Sequence, residues 1–128
     1  MPLVGIDLIE IDRIKNSMKK SSFLNKILGK KEYAELEKRN FCPQSVAVNF
    51  CAKEAFLKAM GMGLGEVNLS EIELLRKPSG QPYLNLNGKA LELAKKENFK
   101  FSVSATHTQN YASVVVLAYS WITDILDI

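Results

Sequence analysis

The segment from Pro43 to about Met60 constrains the fold more than any other part of this sequence, because it predicts one long helix with defined ends. Pro43 suits the first turn of a helix, where its missing amide hydrogen costs nothing. Gly61 can adopt the left-handed conformation that ends a helix. The residues between them predict an apolar side and a more polar face. The apolar side is expected to contain Val46, Phe50, Ala52, Ala55, Phe56 and Ala59, and the other face Lys53, Glu54, Leu57 and Lys58.

The apolar periodicity of the other segments predicts that this helix packs on an antiparallel sheet. Residues 3–8 are expected to form a buried strand that runs directly into a helix. The run from Ser113 to Leu117 is apolar on both faces, which predicts a strand that is either central or covered on both sides. Further helices are expected at 31–39 and 89–98, and further strands at 66–76, 82–86, 99–105 and 111–119, with a hairpin turn at 77–80. The sequence therefore predicts an α+β fold with a long central helix on an antiparallel sheet.

Length and composition favour one globular domain, which we expect to cover residues 1–128. Apolar residues make up 47% of the chain and charged residues 24%, so a core can form. No segment approaches the roughly 20 apolar residues of a membrane span, and the N-terminal segment carries acids where a signal peptide needs a basic start. We therefore expect a cytoplasmic protein without membrane contact. Cys42 and Cys51 have no CxxC spacing, which favours reduced thiols over a disulfide or a zinc site.

Basic residues are concentrated in the first quarter of the chain, although the net charge is only +3. The cluster consists of Arg13, Lys15, Lys19, Lys20, Lys26, Lys30 and Lys31. Either a solvated helix face or a docking site for an acidic partner would explain it. Nucleic acid is disfavoured as a partner, since the segment has a single arginine, a single aromatic residue and no recognisable binding motif.

Four polar residues could carry chemistry. Asp7 interrupts an apolar strand, where an unpaired carboxylate is costly, so it needs a cation, either a neighbouring lysine or a metal ion. Glu54 and Lys58 stand at i and i+4 on the long helix and lie within reach of each other, as ordinary surface pairs also do. Two carboxylates from different elements would suit magnesium, which takes its remaining oxygens from water and phosphate. His107, in a polar turn, is either a solvated side chain or part of an anion site.

Four segments, taken in order, resemble the bacterial holo-acyl-carrier-protein synthases, which are 4'-phosphopantetheinyl transferases. They are GIDLIEIDRI at 5–14, FCAKEAFLKAMGMGLG at 50–65, SGQPY at 79–83 and SVSATHTQNYASVVVLA at 102–118. The resemblance spans almost the whole chain. Its most specific part is KEAFLKAMG, in which the glutamate, the second lysine and the glycine have the spacing that marks these transferases. It implies the 4'-phosphopantetheinyl transferase fold, in the short form that assembles as a homotrimer with the active site between subunits.

The resemblance also implies an activity and a site. The activity is magnesium-dependent transfer of 4'-phosphopantetheine from coenzyme A to a serine of apo acyl carrier protein, in fatty acid biosynthesis, releasing adenosine 3',5'-bisphosphate. Asp7 and Glu54 match the family's Mg²⁺ ligands, and Lys58 matches the lysine that contacts the transferred phosphate. Glu54 is also a candidate for the general base. Coenzyme A contacts are implied for Lys58, Gly61, Pro82, Ser104, His107 and Thr108, and a carrier-protein contact for Arg13.

The chain departs from the family pattern at two positions near the expected nucleotide. Asn49 stands where many relatives have an arginine, and Gln81 replaces the usual basic residue of the Gly-Lys-Pro turn. Each lost phosphate contact would cost about 1–3 kcal/mol if nothing compensates. A noncatalytic module that binds the carrier protein without coenzyme A is therefore a second interpretation, although the residues matched to metal and phosphate favour an enzyme. The tail at 121–128 has no obvious family counterpart.

Overall fold

Five strands and five α-helices make up the part of the protein that the structure describes. The structure is a computed structural model, and it describes residues 2–63 and 65–120, so the tail at 121–128 lies outside the described residues. The elements are β1 (Leu3–Glu10), α1 (Ile11–Ser17), α2 (Phe23–Ile27), α3 (Lys30–Glu37), α4 (Pro43–Met60), β2 (Ile72–Arg76), β3 (Pro82–Leu86), α5 (Gly88–Lys96), β4 (Phe99–His107) and β5 (Tyr111–Ser120). The predicted α+β fold with a long central helix is confirmed. None of the described helices has the length and apolar character needed to cross a membrane.

The main sheet has three antiparallel strands in the order β1-β5-β4, and β5 is central as its apolar run predicted. Strands β2 and β3 form a separate antiparallel hairpin. Alternation along β1 places Gly5 and Ile9 on the face that packs against α4, and Val4, Ile6 and Leu8 on the opposite face. The last three side chains are 64%, 62% and 65% exposed. We refer to this second face as the open sheet face, and it is an apolar surface that no other element of residues 2–63 and 65–120 covers.

Gly5 lets β1 approach α4 more closely than a residue with a side chain would allow. A Cβ atom at this position would overlap the carbonyl oxygen of Ala55. Because that oxygen belongs to the helix backbone, it cannot move aside without shifting α4. We expect Gly5→Ala to lower the free energy of unfolding by about 3 kcal/mol in urea denaturation. Gly63→Ala is the control, since its Cβ would meet only the Glu66 side chain at 3.8 Å; equal losses in both variants would contradict this reading.

A buried network of charged and amide groups joins α3, α4 and the hairpin. Lys53 and Glu32 are completely buried, and the ammonium lies 2.7 Å from the first carboxylate oxygen. The ammonium also donates to the carbonyl oxygens of Leu69 and Ile72, at 3.1 and 2.6 Å. The second Glu32 oxygen accepts from the Asn49 amide at 2.8 Å. The prediction that Lys53 lies on the polar face of α4 is therefore wrong, because its charge is neutralised inside the core by Glu32.

Several other details differ from the predicted elements. Helix α2 has no counterpart among the predicted helices, because five residues are too few to show a helical period. The strand expected to start at residue 66 begins at Ile72, since a 3₁₀ turn, Leu69–Glu71, precedes it. Leu57 was expected on the polar face of α4, but it is buried in a second apolar cluster with Phe56 and Val67. This cluster packs against α5, which explains why the side chain at position 57 is apolar.

Candidate active site

Asp7 of β1 points toward α4 and pairs with Lys58. Its Oδ1 atom lies 3.0 Å from the Lys58 ammonium, which also donates to the carbonyl oxygen of Ile6 at 3.1 Å. The backbone carbonyl of Asp7 accepts hydrogen bonds from the Cys51 thiol at 3.2 Å and from the Ser113 hydroxyl at 3.0 Å. Of the two cations that the sequence allowed for Asp7, the structure shows the lysine. Asp7 is thus held in place by hydrogen bonds from α4 on one side and from β5 on the other.

The Cys51 thiol acts as a donor in this arrangement and not as a nucleophile. Burial, together with the negative charge of Asp7, raises the pKa of the thiol to about 12. A thiol with such a pKa stays protonated at neutral pH and can donate to Asp7. Both cysteines are free, as expected. Cys51 therefore stabilises the position of Asp7 by donating to its carbonyl and carboxylate oxygens.

Glu54 is the second carboxylate at this junction. Among residues 2–63 and 65–120, no lysine, arginine or histidine nitrogen lies within 4.0 Å of its oxygens. Partial burial and, second, repulsion from Asp7 raise the pKa of Glu54, and attraction to Lys58 and Arg13 lowers it. Glu54 and Lys58 therefore interact through their charges, whereas the close contact of Lys58 is with Asp7. The junction thus holds two carboxylates and one exposed ammonium close together.

The donors at this junction fit a magnesium ion better than a metal that requires many protein ligands. No group of three or more histidine, cysteine, aspartate or glutamate side chains that could hold a metal occurs in the described part of the chain. Two carboxylates that repel each other, as Asp7 and Glu54 do, would be stabilised by a divalent cation between them. Magnesium commonly binds one or two carboxylates and completes its shell with water and phosphate oxygens.

A separate cavity of about 170 Å³ brings together two of the residues implied for coenzyme A, Pro82 and His107. It is lined by Arg39, Ser45, Val48, Arg76, Gly80, Pro82, Ala105, Thr106 and His107. Asp7, Glu54 and Lys58 are not among these residues. Arg39 and Arg76 are not among the site residues that the sequence predicts. The position of Arg76 next to the hairpin turn at 77–80 could have identified it as a site residue. Arg39 follows α3, and no local sequence pattern identifies it.

The remaining predicted residues lie at three other places. Gly61 caps α4 in the left-handed conformation, with φ of 67°. Ser104 is paired with Val115 in the sheet and belongs to the open sheet face. The Thr108 hydroxyl accepts from the backbone amides of Asn110 and Tyr111 and so stabilises the turn between β4 and β5. A single chain therefore does not bring all of the predicted coenzyme A residues together.

Asn49 does not face this cavity. Its side chain is completely buried, and its amide donates to Glu32 at 2.8 Å and to the carbonyl oxygen of Leu74 at 3.1 Å. The neighbouring residue Val48 is the one that lines the cavity. The expectation that Asn49 removes a positive charge beside the nucleotide is therefore wrong, because in this chain the position belongs to the buried network. Gln81 is exposed on the hairpin turn, and its effect stays a prediction.

Known proteins resemble this chain over most of its length. Residues 3–116 match the 4'-phosphopantetheinyl transferase superfamily. The holo-[acyl-carrier-protein] synthase of Syntrophus aciditrophicus is 42% identical over 117 residues, which cover 88% of this chain and 91% of that protein. The protein of the same name from Fusobacterium nucleatum is 36% identical over 116 residues, which cover 89% of this chain and 95% of that protein.

Solved structures of proteins with related sequences have the same fold as this chain. The holo-[acyl-carrier-protein] synthase of Neisseria meningitidis has a TM-score of 0.83 at 27% identity and covers 92% of this chain and 98% of that chain. The Helicobacter pylori protein of that name, solved in complex with coenzyme A, has a TM-score of 0.77 at 27% identity, with coverage of 91% and 100%. Sequence and fold thus point to the same family over the same residues. The chain belongs to the 4'-phosphopantetheinyl transferase superfamily.

Proposed function

We propose that this protein is a holo-[acyl-carrier-protein] synthase. It transfers 4'-phosphopantetheine from coenzyme A to a serine of apo acyl carrier protein, in fatty acid biosynthesis, and releases adenosine 3',5'-bisphosphate. The observation that carries the proposal is the junction of β1 and α4, where Asp7, Glu54 and Lys58 meet in a chain that belongs to this superfamily. The relatives named above bear this enzyme name, and one was solved with coenzyme A. We further propose that the protein acts in the cytoplasm and that residues 1–128 form one domain.

Asp7 and Glu54 are the proposed ligands of a magnesium ion. The ion would supply positive charge for the pyrophosphate of coenzyme A, at which the transferred phosphoryl group separates from the nucleotide. Lys58 is 56% exposed, so its ammonium can leave Asp7 and contact the transferred phosphate. It can then give a proton to the oxygen that leaves with the nucleotide when the phosphorus–oxygen bond breaks.

Glu54 is also the proposed acceptor for the proton of the carrier-protein serine. The serine oxygen forms a new bond to phosphorus as its proton departs. A carboxylate oxygen can accept this proton when it lies within hydrogen-bond reach of the serine hydroxyl. Arg13 is exposed on α1 close enough to lower the pKa of Glu54, so an acidic carrier protein bound at Arg13 would lie beside the reacting groups.

A homotrimer with active sites between subunits is proposed from the open sheet face. Val4 and Ile6 of β1 lie opposite Leu117 and Val115 of β5, so the apolar surface extends across two strands. Association would bury this surface and could bring the cavity of one subunit to the carboxylates of the next. We expect Ile6→Asp to give a monomer in analytical ultracentrifugation, with transfer activity reduced at least about tenfold, because a buried charge would oppose association. Lys89→Asp, on exposed α5, is the control; an active Ile6→Asp monomer would contradict the shared site.

Transfer itself is tested with purified apo acyl carrier protein, coenzyme A and magnesium. The expected result is a carrier protein heavier by one 4'-phosphopantetheine group, measured by intact-protein mass spectrometry, and no product when magnesium is chelated. Titration of coenzyme A by calorimetry, with and without magnesium, separates the enzyme from a noncatalytic carrier-binding module. Carrier binding without any binding of coenzyme A would contradict the proposed activity.

A further inference from the structure

The two oxygens of the Asp7 carboxylate have different partners on α4. Cys51, Glu54 and Lys58 follow one another along one face of that helix, because residues three or four positions apart are neighbours on a helix surface. The Lys58 ammonium lies 3.0 Å from Oδ1 of Asp7, and the Cys51 thiol lies 3.6 Å from Oδ2. The carboxylate is therefore bracketed by a cation on one oxygen and by a neutral donor on the other.

The two partners also differ in burial. The Lys58 side chain is 56% exposed, whereas Cys51 is completely buried. Oδ1 of Asp7 thus lies on the solvent side of the carboxylate, and Oδ2 lies on the side of the core. A cation that arrives from solvent can replace the ammonium at Oδ1. The thiol is fixed by the packed core around it and keeps its place beside Oδ2.

Cys51 directs its hydrogen-bonding capacity mainly to Asp7. Its sulfur lies 3.2 Å from the carbonyl oxygen of Asp7 and 3.8 Å from that of Ala112, in addition to the contact with Oδ2. Within residues 2–63 and 65–120, no other hydrogen bond reaches Oδ2. Removal of the thiol would therefore leave this oxygen without a donor and the carboxylate free to rotate.

The hold on Oδ2 matters for the kind of metal ion that Asp7 can bind. Calcium accepts carboxylates through one or both oxygens in a flexible shell, whereas magnesium demands a nearly ideal octahedron and keeps several waters. A carboxylate that presents one oxygen to solvent suits the smaller ion and denies calcium a second oxygen. Hydrogen-bond partners of metal-binding carboxylates commonly tune metal affinity in this way.

We infer that Cys51 is a positioning residue that retains Oδ2 of Asp7, so that Oδ1 alone is offered to the metal ion and the site favours Mg²⁺ over Ca²⁺. The inference rests on the proposed function, because it takes Asp7 to be a metal ligand. Cys51 itself touches neither the ion nor the substrates. It determines the choice of metal through the orientation of Asp7.

The test measures metal binding by the whole protein with coenzyme A present and carrier protein absent, so that no transfer takes place. Bound Mn²⁺ is detected by electron paramagnetic resonance, and displacement by Mg²⁺ and by Ca²⁺ gives the ratio of their affinities. We expect Cys51→Ala to weaken Mg²⁺ binding about 10-fold and Ca²⁺ binding less than about threefold, as for other partners of metal ligands. Cys51→Ser keeps a donor and should regain most of the preference. Cys42→Ala, at the N-terminal end of α4, is the control and should keep the wild-type ratio.

The serine variant distinguishes positioning from packing. It differs from the alanine variant by one hydroxyl group, so a role in packing alone predicts the same ratio of affinities for both. Equal ratios in these two variants would overturn the inference, and so would a wild-type ratio in Cys51→Ala or a wild type that binds no Mn²⁺. Thermal unfolding of each variant shows that folded proteins are being compared.

The outcomes also separate the inference from the proposed function. A metal preference that is lost in Cys51→Ala and regained in Cys51→Ser, in a protein that transfers nothing to apo acyl carrier protein, would support the inference and contradict the activity. Transfer by the wild type together with an unchanged ratio in Cys51→Ala would support the activity and overturn the inference.

Discussion

Glu54→Gln should lower the turnover number for transfer by about 10³-fold and yet leave the protein at least as stable as the wild type at pH 7. The amide cannot accept the serine proton, and it is a weaker ligand for magnesium than a carboxylate. The stability result has a different origin. Burial and Asp7 raise the pKa of Glu54, so the charged form is disfavoured in the folded protein relative to the unfolded chain.

The difference in unfolding free energy between Glu54→Gln and the wild type should depend on pH. Below the ordinary pKa of glutamate the residue is protonated in both folded and unfolded chains, and the wild type and the variant should have similar stability. As the pH rises above that ordinary value, the unfolded chain loses its proton before the folded protein does, so the wild type loses stability relative to the variant until the pH passes the raised pKa of the folded protein. The stability advantage of the variant should therefore appear at neutral pH and disappear in acid. Urea denaturation at several pH values measures it.

Glu92→Gln, on the exposed side of α5, provides the matched control and should keep full activity. Asp7→Asn should also abolish transfer, but it removes the partner of Lys58 and is the less informative variant for stability. Full activity in Glu54→Gln or in Asp7→Asn would refute the metal assignment. A destabilised, inactive Glu54→Gln would show that the carboxylate serves the fold.

The largest effect on folding is expected at Lys53. Replacing it with methionine fills a similar volume but leaves the Glu32 carboxylate buried without its cation, and we expect a loss of about 3–5 kcal/mol in the free energy of unfolding. Burial already raises the pKa of Glu32, and the charge of Lys53 is the first of the opposing effects. Without the lysine, Glu32 should take up a proton at a higher pH, so the variant should be least stable relative to the wild type in neutral and alkaline solution.

A double variant shows whether the isolated charge is the cause. In Lys53→Met/Glu32→Met both charges are gone, and part of the lost stability should return even though several amides lose an acceptor. Lys31→Met, one residue before Glu32 and exposed, should change the free energy of unfolding by less than about 0.5 kcal/mol. A double variant that is less stable than Lys53→Met would contradict the explanation and assign the loss to the hydrogen bonds.

The sequence was sufficient where local rules decide the structure. Helix α4 begins at Pro43 and is capped by Gly61, as the turn preference of proline and the left-handed tolerance of glycine predicted. The central position of β5 followed from its uninterrupted apolar run. Asp7 and Glu54 were identified through the order of the motifs, and the structure places both at one junction.

The sequence was insufficient where the partner of a residue is distant along the chain. Spacing suggested that Lys58 pairs with Glu54, but its close contact is with Asp7, on a strand that local periodicity cannot relate to the helix. Lys53 was predicted on the more polar face of α4, because no residue near it in the sequence indicates that Glu32 enters the core from α3. Arg76 is likewise adjacent to the hairpin turn, and its surroundings become apparent only after the hairpin packs against α3.

On the proposed function, the pair formed by Asp7 and Lys58 would make the binding of magnesium and the binding of coenzyme A favour each other. A cation that binds Oδ1 of Asp7 would displace the ammonium group, so part of its binding free energy would be spent on breaking the pair. The displaced ammonium is then available to a phosphate group, and a phosphate that attracts it vacates Asp7 in return. By thermodynamic linkage, each ligand should raise the affinity for the other by the same factor. In this proposal, Lys58 would be an internal counter-ion of Asp7 that is exchanged for magnesium when both ligands bind.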